Sequence, residues 1–392
     1  MTGLPLEQHR PTWAEIDLDA LAHNVRVLRG RLGVTRIMAV IKANAYGHGA
    51  VPVARRLSRE GIDWLAVALP EEGIEIRRAG VETPTLVMGG FAPAQADLVL
   101  EHGLTAAVFR RDQVEALSAA AARHGRTAEV HVKIDTGMGR LGVPARELGG
   151  FADLLSSAAG LDVTGAFSHL AAADDPEDPF TATQVALLLR SVAALKERGL
   201  RPELVHVANS PAVVDHRSTW MTLVRPGLLL YGYNPVTRGH LLPVRPVMAV
   251  RSRVIDLREV AAGSSVGYGR TWRAKEPARI ATLAIGYADG LPRAAGNRGH
   301  VLLRGRRAPM VGRISMDLTT LDVTAIPEAA LDDVATVLGP AEGGLIGADA
   351  VANAAGTIPW EILARIGGRV PRLLLEGGNT VLSSRFSDPA GG

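Results

Sequence analysis

The chain has 392 residues, 47% of them apolar and 21% charged, with 43 Lys and Arg against 40 Asp and Glu and no cysteine. This is ordinary globular composition, with material for two domains or for one barrel plus an appendage. Scattered charge argues against nucleic acid as a partner, no apolar run is long enough to span a membrane, and disulfides and Cys-based metal sites are excluded, which fits a cytoplasmic location. The opening Met1–Pro5 has no charged region followed by an apolar stretch, so no signal peptide is expected, and Ser387–Gly392 reads as a frayed tail.

The first expected strand, Ile37–Lys42, ends in a lysine and runs into the Gly-rich turn Ala43-Asn44-Ala45-Tyr46-Gly47-His48-Gly49. Burying an unpaired ammonium is costly or forces its pKa down. A lysine at a strand end therefore either snorkels to solvent or does chemistry. The chemistry that suits a desolvated amine is a Schiff base with a carbonyl compound such as pyridoxal phosphate. Further strands are expected at Trp64–Leu69, Thr85–Gly89, Thr105–Phe109, Ala128–Asp135, Leu161–His169, Leu204–Asn209 and Thr219–Arg225. Their continuous apolar runs suit a parallel sheet buried on both faces. Amphipathic helices lie between them, among them 70–80, 111–124 and 181–198; the first has acids in its opening turn and bases in its last.

Eight β-α repeats predict an α/β fold with an N-terminal (β/α)8 TIM-type barrel, and a doubly wound open sheet is the competitor. After about Pro235 the pattern changes. Pro246–Glu259, Ala278–Gly286, His300–Leu303, Ala308–Val311, Leu318–Asp322 and Asp333–Gly339 are short, alternating and separated by turns, which predicts a C-terminal, mostly antiparallel β domain. The expected division is 1–240 for the barrel and 241–392 for the β domain, with residues 1–12 left open between the two.

In a (β/α)8 barrel the active site lies at the C-terminal ends of the strands. There the sequence places Lys42 and Tyr46, the loop Asp135–Gly142 with Arg140, then Ser168-His169, Asn209-Ser210 and Arg225-Pro226-Gly227. Any one of these alone reads as a solvated loop residue, and Arg225 alone as a surface ion pair. A structural protein has no reason to gather them on one rim. Loops after strands seven and eight commonly bind phosphate. Pro226-Gly227 reads either as an ordinary turn or as a helix start whose free amides make an anion site.

The segments 40–49, 133–142, 168–170, 208–210, 224–227, 266–272, 285–290 and 314–317, read together and in order, resemble the motifs of the alanine racemase family. The resemblance runs from about residue 12 to residue 380. It implies a pyridoxal phosphate enzyme that racemises L- and D-alanine by two bases and supplies D-alanine for peptidoglycan. By the resemblance Lys42 carries the cofactor and serves the D-enantiomer, while Tyr268 serves the L-enantiomer from the partner subunit of a homodimer with shared sites. Racemisation needs such a pair, because one group removes the α-proton and the other returns one from the far side. Tyr268 read alone is a strand aromatic, but its Gly-Tyr-Gly setting offers little packing surface and permits close approach to a ligand.

The resemblance further implies Arg225 at the pyridine nitrogen, and Tyr46, Ser210, Gly227 and Leu228 at the phosphate. It places Asn209 and His169 in support. Arg140 faces the cofactor's phenolic oxygen and the substrate carboxylate. Met316, Tyr287 and Asp317 line the substrate side. Lys133 matches a lysine carbamylated by CO2 in many members, which would orient Arg140. One position departs: Trp360 stands where the family normally has Tyr against the phosphate. A broader or serine-type amino acid racemase is therefore kept as an alternative. A non-catalytic pyridoxal phosphate-binding protein and a related decarboxylase are further alternatives. The former lacks the β domain, and the latter usually offers a Cys that this chain does not have.

Overall fold

The computed structural model describes residues 10–235 and 241–383. The readings of Met1–Pro5 and Ser387–Gly392 lie outside the described residues. Two compact units are present: Ala22–Ala45 with Ala50–Val244, and Met1–Leu21 with Tyr46–Gly49 and Arg245–Gly392.

The first unit is the barrel. Eight parallel strands follow in chain order: Arg36–Val40, Trp64–Val67, Thr85–Val87, Thr105–Val108, Ala128–Asp135, Leu161–Phe167, Leu204–His206 and Leu223–Val224. The first seven pair in succession, and Leu223–Val224 pairs back onto Arg36–Val40. The ring closes between the last two strands, where the Thr222 amide donates to Val205 O (3.3 Å) and the Arg225 amide to Ala208 O (2.9 Å). Met38, Ala39, Leu65, Ala66, Leu86, Ala106, Val130 and Val132 are fully buried. Burying each larger aliphatic side chain contributes about 1.5–3 kcal/mol, which is what the apolar runs in the sequence supply.

Several strands stop short of their expected ends. The first ends at Val40, not Lys42; the sixth at Phe167, not His169; the seventh at His206, not Asn209. At the eighth position Arg217–Thr219 forms a 3-10 turn and only Leu223–Val224 is extended. The reason is common to all: the residues at the C-terminal ends turn out of the sheet, so their polar side chains sit in loops above it. No helix follows Arg225. Residues 227–232 form overlapping tight turns, with Leu230 N–H on Gly227 O (2.9 Å) and Tyr231 N–H on Leu228 O (3.1 Å).

The second unit is mostly antiparallel. Its sheet runs Arg306–Pro309, His300–Leu303, Val334–Ala341, Met248–Val260, Thr12–Asp17, Arg372–Glu376 and Asn379–Ser383. Ala278–Leu283 pairs with both Met248–Val260 and Thr319–Asp322. Thr12–Asp17 is antiparallel to Met248–Val260 and parallel to Arg372–Glu376, so this strand lies inside the sheet. Two short helices, Ala348–Ala355 and Pro359–Ala364, complete the unit.

Candidate active site

Lys42 stands two residues past the first barrel strand, at the head of a rare backbone turn. Ala43, Asn44, Ala45 and Tyr46 all have φ near +53°, the left-handed region. Such a conformation costs an L-residue roughly 1–2 kcal/mol, so it persists only where it is held. Glu72 holds it: one carboxylate oxygen accepts the Ala43 amide (2.6 Å), and the other accepts the amides of Ala68 (2.7 Å) and Leu69 (3.2 Å). Asn44 Oδ1 accepts the Ala50 amide at 2.8 Å, tying the turn to the next helix. Lys42 itself is partly open to solvent. Desolvation and the guanidinium of Arg140 lower its pKa, Glu72 pulls the other way, and Arg225 adds a further lowering.

Arg225 is the buried cation of the barrel rim. Its Nη1 lies 2.7 Å from His206 Nδ1, and its Nη2 donates to Ser168 O (2.7 Å) and Val207 O (3.2 Å) and lies 3.3 Å from His169 Nδ1. Its guanidinium also lies over the Phe167 ring, at 5.4 Å. A guanidinium only donates, so His169 accepts on Nδ1 and presents N–H at Nε2. Burial, with Arg225, Arg140, Lys133 and Lys42 around it, pushes the His169 pKa down to about 3, so the ring is neutral.

Lys133 is buried, donates to Met88 O at 3.0 Å, and sits over the Phe109 and Phe167 rings. Desolvation, then Arg225, Arg140 and Lys42, bring its pKa to about 8. Arg140 is exposed on the loop after the fifth strand. Asp135 shapes that loop by accepting the amides of Gly137 (2.9 Å) and Gly139 (3.1 Å). Asn209 caps the helix Ser210–Asp215 through the Ala212 amide. Ser210 Oγ accepts the Gly227 amide at 2.9 Å, so that N–H is not the free donor expected of a helix start. Lys42, Lys133, Arg140, His169, Asn209, Ser210, Arg225, Gly227 and Leu228 thus fall on one unit, and the charge of Arg225 acts on Lys42, Lys133 and His169.

On the second unit, Tyr268 is 69% exposed at the tip of a turn between Ser265–Val266 and Trp272–Arg273. Tyr287 and Met316 are brought together by backbone bonds, Tyr287 N–H to Ser315 O and Ala288 N–H to Met316 O, both 3.0 Å. Asp317 is exposed and paired with Arg369 at 2.5 Å. Tyr46 is buried, and burial raises its phenol pKa. The segment Tyr46–Gly49 packs on the helix that carries Trp360: a Cβ on Gly47 would lie 2.4 Å from Leu363 O.

Sequence reasoning missed Glu72, Gln184, His131, His206 and Arg372. Gln184 is fully buried, donates to Thr136 Oγ1 (3.2 Å) and His169 O (3.0 Å), and accepts the Ala171 amide (2.9 Å). Arg372 donates to the carbonyls of Gly47 (2.8 Å) and Ile366 (2.6 Å). A polar residue in an otherwise apolar helix face was the signal available for Gln184. Among the described residues no group of His, Asp and Glu is arranged to hold a metal, and no helix is long and apolar enough to cross a membrane.

Comparison with known proteins gives a consistent result. A family model described as "Alanine racemase, N-terminal domain" matches residues 16–235, and one described as "Alanine racemase, C-terminal domain" matches 247–374. An alanine racemase of Sorangium cellulosum is 43% identical over 379 residues, covering 94% of this chain and 100% of the relative. The structure of the Bacillus anthracis alanine racemase with bound L-Ala-P superposes with a TM-score of 0.89 at 34% identity, covering 98% and 99% of the two chains. That of the Bartonella henselae enzyme, with covalently bound pyridoxal phosphate, gives 0.85 at 30% identity, covering 93% and 99%.

Proposed function

The chain belongs to the alanine racemase family, and on that premise we propose how its own residues interconvert L- and D-alanine with pyridoxal phosphate. The observation that carries this reading is Lys42 at the C-terminal rim of the barrel, two residues past the first strand, an amine whose pKa desolvation and the charges of Arg140 and Arg225 lower. The residues fit the cofactor. Arg225 is a buried donor that suits an unprotonated ring nitrogen. Lys42 offers an amine to a carbonyl. Ser210 Oγ, which accepts the Gly227 amide, can turn its own O–H to an anion, with Gly227, Leu228, Tyr46 and Trp360 as further phosphate contacts.

When bound, pyridoxal phosphate supplies the electron sink that acidifies the substrate's α-C–H bond. Lys42 holds the cofactor, and its amine then exchanges the α-proton of D-alanine. Tyr268, from a second copy of the chain, exchanges that of L-alanine. To take a proton, its phenol must act as the phenolate. The His169 Nε2–H, fixed as a donor because Nδ1 accepts from Arg225, is suited to hold that phenolate. Arg225 does not give up a proton to the ring nitrogen, so the sink stays weak and the proton returns before side reactions intervene. Arg140 and the Met316 amide orient the substrate carboxylate, while Tyr287 and Asp317 line the entrance and Asn209 supports the phosphate loop. Carbamylated Lys133 orients Arg140. The protein acts as a cytoplasmic homodimer that supplies D-alanine for peptidoglycan.

Trp360 favours a second reading, a racemase of broader range that includes serine. Chiral chromatography decides between them after the protein and cofactor are incubated separately with L-alanine, L-serine and a panel of other L-amino acids. Preferred conversion of alanine to a near-equal mixture is expected. Preferred conversion of another amino acid keeps the two bases but moves the role. No conversion overturns the assignment.

A further inference from the structure

Behind Arg225 lies a buried line of two imidazoles. His206 Nδ1 is 2.7 Å from Arg225 Nη1, and His206 Nε2 is 3.0 Å from His131 Nδ1. A guanidinium has only donors, so His206 accepts on Nδ1 and, being neutral, carries its proton on Nε2. His131 then accepts on Nδ1 and carries its own proton on Nε2. Both rings are fully buried, and burial beside Arg225 keeps both neutral.

The contact between the two histidines is built. Their strands, Ala128–Asp135 and Leu204–His206, are not neighbours, because Leu161–Phe167 lies between them. His131 is in register with Gly165 of that intervening strand. A Cβ on Gly165 would lie 2.6 Å from the His131 ring, so the absent side chain leaves the space through which His131 reaches His206. Phe167 stacks on His206 at 4.8 Å and 9°, and Trp64 packs against His131 at 5.4 Å. His131 Nε2 has no hydrogen-bond partner among the described residues. An unsatisfied buried N–H is a cost that Leu or Phe would remove. Stability alone therefore does not account for an imidazole there.

We propose that His131 is a positioning residue for Arg225. By accepting from His206 Nε2, it fixes the tautomer in which Nδ1 is free to receive the guanidinium. The other tautomer sets N–H against N–H and drives Arg225 off its seat. This inference rests on the reading of Arg225 as the residue that faces the cofactor ring.

The test uses the full-length protein with 15N-labelled histidine, with and without pyridoxal phosphate, and three variants: His131→Leu, His131→Asn and Gly165→Ala. Long-range 1H–15N NMR reads the His206 tautomer, and alanine racemisation is measured on the loaded protein. The wild type should show His206 protonated on Nε2. His131→Leu and Gly165→Ala should lose that single tautomer and lower kcat roughly tenfold, the scale of one hydrogen bond, with KM little changed. His131→Asn, whose amide oxygen can still accept, should restore both readouts. A wild-type His206 protonated on Nδ1 overturns the proposal even if no variant folds. So does a His131→Leu variant that keeps the Nε2–H tautomer and wild-type kcat. Absence of racemisation in the wild type would instead remove the functional reading, and the tautomer would still decide the relay.

Discussion

Lys133 shows how a single buried side chain carries a prediction. It is a lysine among Arg225, Arg140 and Lys42, and desolvation with that repulsion brings its pKa to about 8. The neutral amine, which is the form that reacts with CO2, therefore grows as pH rises through 8, where an ordinary lysine stays charged. In bicarbonate, intact-mass measurement under native conditions should show a CO2 adduct that rises between pH 7 and 9 and is absent from Lys133→Ala. An unmodified wild type across that range contradicts carbamylation. At this scale the rim residues Lys42, His169, Asn209, Ser210 and Arg225 were legible because each follows an apolar run. His131 and His206 were not, because their meaning lies in a contact across a third strand. The mid-strand Gly165 was the only trace of it in the sequence.

The element that most constrains the chemistry is the left-handed turn Ala43–Tyr46. None of its residues is glycine, so the roughly 1–2 kcal/mol each costs must be met by neighbours. Glu72 is the neighbour: it accepts the Ala43 amide at 2.6 Å and is itself anchored by the amides of Ala68 and Leu69 at 2.7 and 3.2 Å. Glu72→Ala should leave the barrel folded but let the turn relax and carry Lys42 out of position. Cofactor affinity should fall roughly tenfold, in line with losing charge-assisted hydrogen bonds. A pyridoxal phosphate titration followed by fluorescence measures this, and wild-type affinity would contradict it. The turn was not legible, since Ala-Asn-Ala-Tyr has no signature of positive φ. The barrel strands were, because buried parallel strands read as continuous apolar runs, and the helix Arg111–His124 kept its expected bounds. Thr12–Asp17 was missed. Its alternation is that of an ordinary half-buried strand, and only its partners at Met248–Val260 and Arg372–Glu376, hundreds of residues away, make it central.

For the whole molecule, the two proposed bases lie on different compact units, Lys42 on the barrel and Tyr268 on the β unit. If each site takes Tyr268 from a second copy, mixing inactive Lys42→Ala protein with inactive Tyr268→Phe protein regenerates one complete site per hybrid dimer. After subunit exchange of equal amounts, in which about half of the dimers are hybrids, activity should rise from near zero toward roughly a quarter of the wild-type value. No recovery, with hybrid dimers present by mass, contradicts sharing. The two-unit plan was legible in the change of pattern after Pro235, whereas the trans arrangement came only from the family resemblance. The central claim, a division of labour between two bases, is tested most directly by following α-proton exchange in deuterated water with Tyr268→Phe loaded with pyridoxal phosphate. The account predicts that racemisation stops while D-alanine still exchanges its α-proton through Lys42 and L-alanine does not. Equal loss of exchange from both enantiomers, or continued racemisation, would contradict it.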